Sequence, residues 1–280
     1  MDYLTSLLKA TIDPQNALAL ALLLFFLPIF YFTNWAVKRG AKISLRHIAS
    51  YAALKRLLAN AAETGQPIHL SLGTAGVGDA ATADTMAGLT VLQYLADRAA
   101  VSASPPIVSM SNPTALAIAQ DILRRAYRRH GYAEEYEPTR ARLIAPDPAL
   151  GTNSLPAPVE SGAGQGEGFP YAMGVMRTLT RAKLTANVMV GRFGDEFLLM
   201  AETGAQKDLN QIGGTSSTRV LPFVYMSIAN PLIGEEIYAA GAYLGDQPGH
   251  VASLAAQDAI RWLLILGLVA AIALRSAGWM

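Results

Sequence analysis

The chain has 280 residues, no cysteine, a formal net charge of +1 and 52% hydrophobic residues. The lack of cysteine excludes disulfides, thiolate metal sites and a cysteine nucleophile, and the near-neutral charge removes any global attraction to nucleic acid. Two terminal apolar runs account for part of the hydrophobic content and leave about 200 residues between them, enough for one self-sufficient core.

From Ala17 to Val37 only Pro28, Thr33 and Asn34 interrupt an apolar stretch. As a helix it rises roughly 30 Å, the thickness of a bilayer's hydrocarbon layer. A buried core helix would carry more polar positions. A cleaved signal peptide would place its positive charge before the apolar run, whereas here Lys38, Arg39, Lys42, Arg46, Lys55 and Arg56 follow it without an acidic residue. The expected layout is therefore an extracytoplasmic segment 1–16, a transmembrane helix 17–37 and a cytoplasmic chain thereafter. Lys38, Arg39, Lys42 and Arg46 are then the candidate contacts to anionic headgroups. Residues 38–65 predict a basic amphipathic juxtamembrane helix, its helical pattern running from Ile43 to Ala62 and its stop at Gly65.

Ile68 to Leu72 predicts a strand, and Gly73 to Asp79 a glycine-rich turn into a helix carrying Met86, Leu89, Leu92 and Leu95. Ile107 to Met110 predicts a second strand. Asn112-Pro113 then supplies the N-cap and first-turn proline of a helix to Arg129. Arg140 to Ile144 predicts a third strand. Strand, helix, strand, helix, strand is the βαβαβ unit of a Rossmann-like, doubly wound and mainly parallel sheet. The fold expected is thus α/β over residues 66–258, flanked by one transmembrane helix at each end.

Residues 147–170, rich in Pro and Gly, read as a mobile loop. Tyr171 to Leu184 predicts a helix. Ala186 to Val190 and Glu196 to Ala201 predict strands, either as a hairpin or separately in the sheet. A loop at Gly213-Gly214, a strand from Val220 to Ser227 and a helix from Pro231 to Leu244 complete the domain. Ser109 to Pro113 echoes Met226 to Pro231, each an apolar strand ending in Ser and then Asn-Pro before a helix, as a duplication or as one βα-turn chemistry used twice. The last apolar run, Trp262 to Leu274, is short; extended over 259–280 it spans a bilayer with Arg261 and Arg275 snorkelling, and both termini then face outside. A helix lying in the interface, or packed on the first apolar segment, is the alternative.

Gly73, Thr74, Gly76, Gly78 and Asp79 occupy the position where a doubly wound sheet binds phosphate, with Ser111 and Asn112 at the next strand end. The spacing G-x-x-G-x-G is neither the dinucleotide fingerprint nor a P-loop, and Asp79 and Asp84 would repel a phosphate. A tight structural turn competes with a ligand site there, and either aspartate could cap the helix or hold a cation. His69-Leu-Ser71-Leu-Gly73 lacks the first glycine of a nucleophile elbow. The four histidines are scattered, so no local pair suggests a triad or a metal site; no cofactor is expected, and the sequence names no catalytic residue. Arg124, Arg125, Arg128 and Arg129 complement a helix C-terminus, with anionic lipid or an acidic partner as a second use. Glu235, Glu236, Asp246 and Asp258 read as solvated faces.

The stretches HLSLGTAGVGDAATADTMAGLTVLQYLADRAA and GEEIYAAGAYLGDQPGHVASLAAQDAIRW resemble a prokaryotic family of membrane proteins known only as a domain of unknown function. That resemblance implies no activity, cofactor or catalytic residue. The function expected is assembly, scaffolding or ligand sensing at the membrane surface. The partners expected are the lipid bilayer and either further copies or another membrane protein, with no nucleic acid. A membrane-tethered enzyme acting on a nucleotide-like or phosphorylated small molecule is the alternative.

Overall fold

The computed structural model describes residues 14–41, 45–78, 80–102, 104–144, 168–245 and 247–276. In chain order its elements are α1 (Pro14–Lys38), α2 (Ala49–Thr64), β1 (Ile68–Gly73), α3 (Thr82–Ala99), β2 (Ile107–Met110), α4 (Pro113–Arg129) and β3 (Ala141–Leu143). There follow α5 (Gly168–Arg181), β4 (Ala186–Arg192), α6 (Phe197–Gln206), β5 (Asn210–Thr215), α7 (Leu221–Ser227), β6 (Asn230–Ile233), α8 (Ala240–Tyr243) and α9 (Pro248–Ser276). The chain divides into two units, one from Met1–Arg46 with Asp246–Met280, the other His47–Gly245.

The first unit holds α1 and α9. Thr33 Oγ1 donates to Ile29 O and Phe30 O in its own helix and to Ala252 O of α9 at 3.2 Å. Ala252 and Ala256, one turn apart, are fully buried, and such small residues let two apolar helices approach closely. Leu23, Leu24, Phe25 and Phe32 of α1 and Trp262, Leu264 and Leu266 of α9 are all more than half exposed. Among the described residues one stretch, Pro248–Val269, is long and apolar enough to cross a membrane, and the apolar part of α1 is the shorter Leu23–Lys38. The expected pair of spans is therefore narrowed to one. Its window also starts earlier than 259, because the helix begins at Pro248 and Asp258 is ion-paired with Arg261 at 3.4 Å.

The second unit is built on six strands, all parallel, in the order β3-β2-β1-β4-β5-β6. The order runs outward from β1 to β3, then crosses back to β4 and runs outward the other way. β1 and β4 are therefore neighbours whose following helices leave on opposite faces. Helix α3 packs on the face of Leu72, whereas α5 packs on the face of Ser71, through Tyr171. Every residue of β1 is buried, as a strand covered on both sides requires. Against the Ser71 face, α5, α6 and α7 close a core of Tyr171, Val175, Phe193, Phe197, Met200 and Val224. Helix α2 carries its basic residues Lys55 and Arg56 outward and buries Tyr51 and Leu54, with Tyr51 Oη donating to Glu236 O at 2.7 Å.

β1, β2, β3, α4 and α5 lie where sequence patterning puts them to within a few residues. Four elements expected after β4 differ. Glu196–Ala201 and Val220–Ser227 are helical, so the hairpin reading falls: β4 pairs in parallel with β5. The Gly213-Gly214 loop is strand β5, where each glycine leaves room for a neighbour, Gly213 for Phe197 and Ile228, Gly214 for Leu232 and Ile237. Pro231–Leu244 begins as β6 and only then turns through a 3-10 segment, Gly234–Ala239, into α8. Asn112-Pro113 opens a helix and Asn230-Pro231 a strand, so the echo is not one turn used twice. The loop expected at 147–170 lies outside the described residues up to 167, and 168–170 open α5.

Candidate functional site

Gly73 ends β1 with φ 82°, and a Cβ there would collide with the carbonyl oxygen of Arg192; Gly191, with φ 156°, stands in the same relation to Leu72 O. The two glycines let β1 and β4 close at their carboxyl ends, where the register shifts between Ser71 and Gly73. The loop then folds on itself through its amides. Gly73 N donates to Tyr171 Oη (3.3 Å), Thr74 N to Arg192 O (3.1 Å), Val77 N to Thr114 Oγ1 (3.0 Å) and Gly78 N to Thr82 Oγ1 (2.9 Å). Ser111 N donates to Gly73 O, and Gly76 lies against the Asn112 side chain. Asn112 Oδ1 caps α4, accepting from Thr114 N at 2.9 Å and Thr114 Oγ1 at 2.7 Å. The structure thus gathers Gly73, Thr74, Gly76, Gly78, Ser111 and Asn112 into one corner; Asp79 lies outside the described residues.

Beside that corner is a second polar group which patterning did not assemble. Asp84, in the first turn of α3 and 2% exposed, accepts from Ser216 Oγ at 2.7 and 2.8 Å and from Tyr238 Oη at 2.5 Å, with Arg192 Nη1 3.5 Å away. Arg192 ends β4, Ser216 follows β5, and Tyr238 lies in the 3-10 segment after β6. Their meeting point is the carboxyl edge of the sheet, at the β1/β4 reversal. The amino end of α3 favours the carboxylate. Burial, then the bond to Asp84, push the Tyr238 hydroxyl above its ordinary value, so it stays a donor. The hydroxyl of Thr85, on the next residue, is buried without a hydrogen-bond partner. Asp84→Asn keeps the shape but sets an amide against donors, and is expected to cost about 1–2 kcal/mol in urea unfolding.

Deeper in the sheet, a hydrogen-bond chain runs from α6 across four strands, and its polarity follows from one end. Gln211 Nε2 donates to Ala201 O (2.8 Å), so Gln211 Oε1 must accept from Asn187 Nδ2 (3.2 Å). Asn187 Oδ1 then faces His69 Nδ1 (2.8 Å), which carries the proton, and His69 Nε2 accepts from Ser109 Oγ (2.9 Å). Burial, only partly offset by the Asn187 bond, pushes the His69 imidazole down to about 4, with the charge of Arg142 adding to the depression. It is a neutral, sealed core group. Tyr171 is equally enclosed. Its single proton goes to Ser109 O (3.0 Å), so Ser71 Oγ donates to it at 2.6 Å, and burial pushes the phenol well above its usual range. Ser71, within the strand, is consumed in that bond.

The basic residues meet ordinary fates. Lys38 ends α1, exposed, and the Arg39 guanidinium lies over the Trp35 ring at 3.7 Å. Arg46 is exposed, and Lys42 lies outside the described residues. Arg124 and Arg125 both pair with Asp121, and Arg129 pairs with Asp97; such exposed pairs contribute little. Ala239, Ala240, Gly241 and Ala242 are buried, so they offer no open surface of small residues.

A parallel six-stranded α/β unit with a convergent polar cluster at its carboxyl edge, in a chain that also carries a membrane-length apolar helix, defines the class. The chain belongs to the family described as Domain of unknown function (DUF6754), which matches residues 10–149 and 164–280. No curated protein and no solved structure matches it.

Proposed function

We propose that this protein is a membrane-tethered ligand sensor, its Rossmann-like, doubly wound sheet binding a small acidic molecule at the β1/β4 reversal. The observation that carries this reading is Arg192. It stands at the carboxyl end of a central strand, its side chain 29% exposed, 3.5 Å from a carboxylate already held by two hydroxyls. An incoming carboxylate or phosphate offers that guanidinium a shorter bidentate partner. Open sheets of this kind take their ligands at this crevice. Drawing Arg192 from Asp84 would alter the ties among α3, β4, β5 and the 3-10 segment, which supplies the differential contact a sensor needs.

The apolar surfaces of α1 and α9 support a bilayer as the tether, with α1 as a second span. The basic run Lys38, Arg39, Lys42 and Arg46 supports a cytoplasmic α/β unit in the cell membrane with both termini outside. Assembly with further copies or another membrane protein is the output that fits such a sensor. The competing reading, an enzyme for a phosphorylated substrate, relies on loop amides free to cradle phosphate. Those of Gly73, Thr74, Val77 and Gly78 are engaged within the protein.

A thermal-shift screen of the full-length protein in detergent, with dicarboxylates, nucleotides and phosphorylated metabolites, tests the reading. At least one is expected to raise the melting temperature of the wild type and to leave Arg192→Gln unmoved. A flat wild-type response, or an equal rise in the variant, counts against it.

A further inference from the structure

A cleft of about 390 Å3 lies away from the carboxyl-edge corner, lined by Arg142 of β3 and by Arg177, Thr178, Arg181 and Ala182 of α5. Arg177 and Arg181 are four residues apart, one turn of helix, so their side chains leave the same face of α5. Arg142 enters from the edge strand, its Nε donating to Thr139 O at 3.4 Å. Several arginines elsewhere are matched by carboxylates, among them Arg129 with Asp97, Arg140 with Glu137, Arg192 with Asp84 and Arg219 with Asp195. Among the described residues, none of the three cleft arginines has a carboxylate within salt-bridge distance.

A cation in the last turn of α5 complements the helix dipole, which accounts for Arg181. It does not account for Arg177 or for Arg142, which comes from a different element. Like charges one helical turn apart repel, and a third brought in by the sheet adds to that. Three guanidiniums around one hollow are stable company for an anion with several oxygens. A carboxylate would be satisfied by one guanidinium fork, whereas a phosphate presents enough oxygens for all three. The volume is that of a small-molecule site, with room for a phosphate and a modest organic group.

We propose that the β3/α5 cleft is a binding site for a phosphoryl group of at least two negative charges, gripped by Arg177 and Arg181 from the helix and by Arg142 from the strand. The group arrives on a soluble metabolite or on a lipid headgroup. This site is separate from the carboxyl-edge corner and does not rest on the sensor reading.

The test uses the full-length protein in phosphatidylcholine nanodiscs. Inorganic pyrophosphate, followed by calorimetry, probes the soluble source. Replacing part of the lipid by phosphatidic acid, followed by melting temperature, probes the headgroup source. Wild type is expected to respond to at least one probe, and R142Q, R177Q and R181Q each to weaken that response about tenfold. R128Q, an exposed arginine of α4 outside the cleft, is expected to respond as wild type does. A response to pyrophosphate assigns a soluble ligand, and a response to phosphatidic acid alone assigns a headgroup. The proposal is overturned if wild type responds to neither probe or if the cleft variants respond undiminished. It is equally overturned if R192Q, and not the cleft variants, abolishes the response.

Discussion

Gly73→Ala is expected to destabilise the α/β unit by about 3–5 kcal/mol, lowering Tm by roughly 10 °C or more. Two costs add. The residue's φ of 82° is one that a side chain adopts only under strain, and the new Cβ would meet the carbonyl oxygen of Arg192, a backbone atom of the neighbouring strand that cannot swing aside. Relief requires β1 and β4 to part, which also breaks the bond from Thr74 N to Arg192 O. Gly78→Ala separates the two costs: φ is 104°, but nothing lies within 4 Å of the added atom. It is expected to lose only about 1 kcal/mol. Urea unfolding followed by near-ultraviolet tyrosine signals reports on this unit, because Trp35, Trp262 and Trp279 lie outside it in sequence. Equal losses in the two variants would mean that close approach of the strands is not why Gly73 is there.

The second large effect is acid lability centred on His69. An unfolded histidine titrates near 6.5, and burial holds this one at about 4. Between those values the unfolded chain binds a proton that the folded chain does not, so stability rises with pH there. The contribution is complete above about pH 6.5 and is lost as pH falls toward 4. It amounts to about 3 kcal/mol, with a limiting slope of about 1.4 kcal/mol per pH unit. Protonation would also reverse the link to Ser109, since Nε2 accepts from that hydroxyl and an imidazolium only donates. His69→Gln keeps a donor for Asn187 and an acceptor for Ser109 but does not titrate. Urea midpoints at pH 7 and pH 4.5 should therefore fall much less in the variant than in the wild type. Parallel losses would assign the acid sensitivity to other groups.

The first half of the domain was legible because its signals are local. Ile68–Leu72 is a continuous apolar-rich run stopped by glycine, and Asn112-Pro113 carries its own cap chemistry. The second half misled for an equally physical reason. Asn210–Thr215 holds two glycines, which read as a turn, yet they sit in a central strand because aromatic and aliphatic side chains fill the space a Cβ would take. Leu221–Ser227 has the composition of a strand, and only its packing under α6 and against the core makes it helical. The loop residues of the candidate site could be named in advance, since a glycine turn after a strand is contiguous. Arg192, Ser216 and Tyr238 could not, because their common property is a parallel neighbour relation among β4, β5 and β6. Arg192 follows a strand legible in the sequence, but whether that strand pairs in a hairpin or lies separately in the sheet is not written at short range.

What the chain's order of residues determined by itself was everything written at short range: apolar runs, the basic run after the first of them, strand-turn-helix punctuation and the cap of α4. Hydrophobic period and turn chemistry act over a few residues, so they survive without the fold. The tertiary structure alone decided strand order, the meeting of Asp84 with groups from three other elements, the direction of the proton chain through His69 and the gathering of three arginines at one cleft. Each depends on register between segments tens of residues apart, which long-range packing sets and local pattern does not encode.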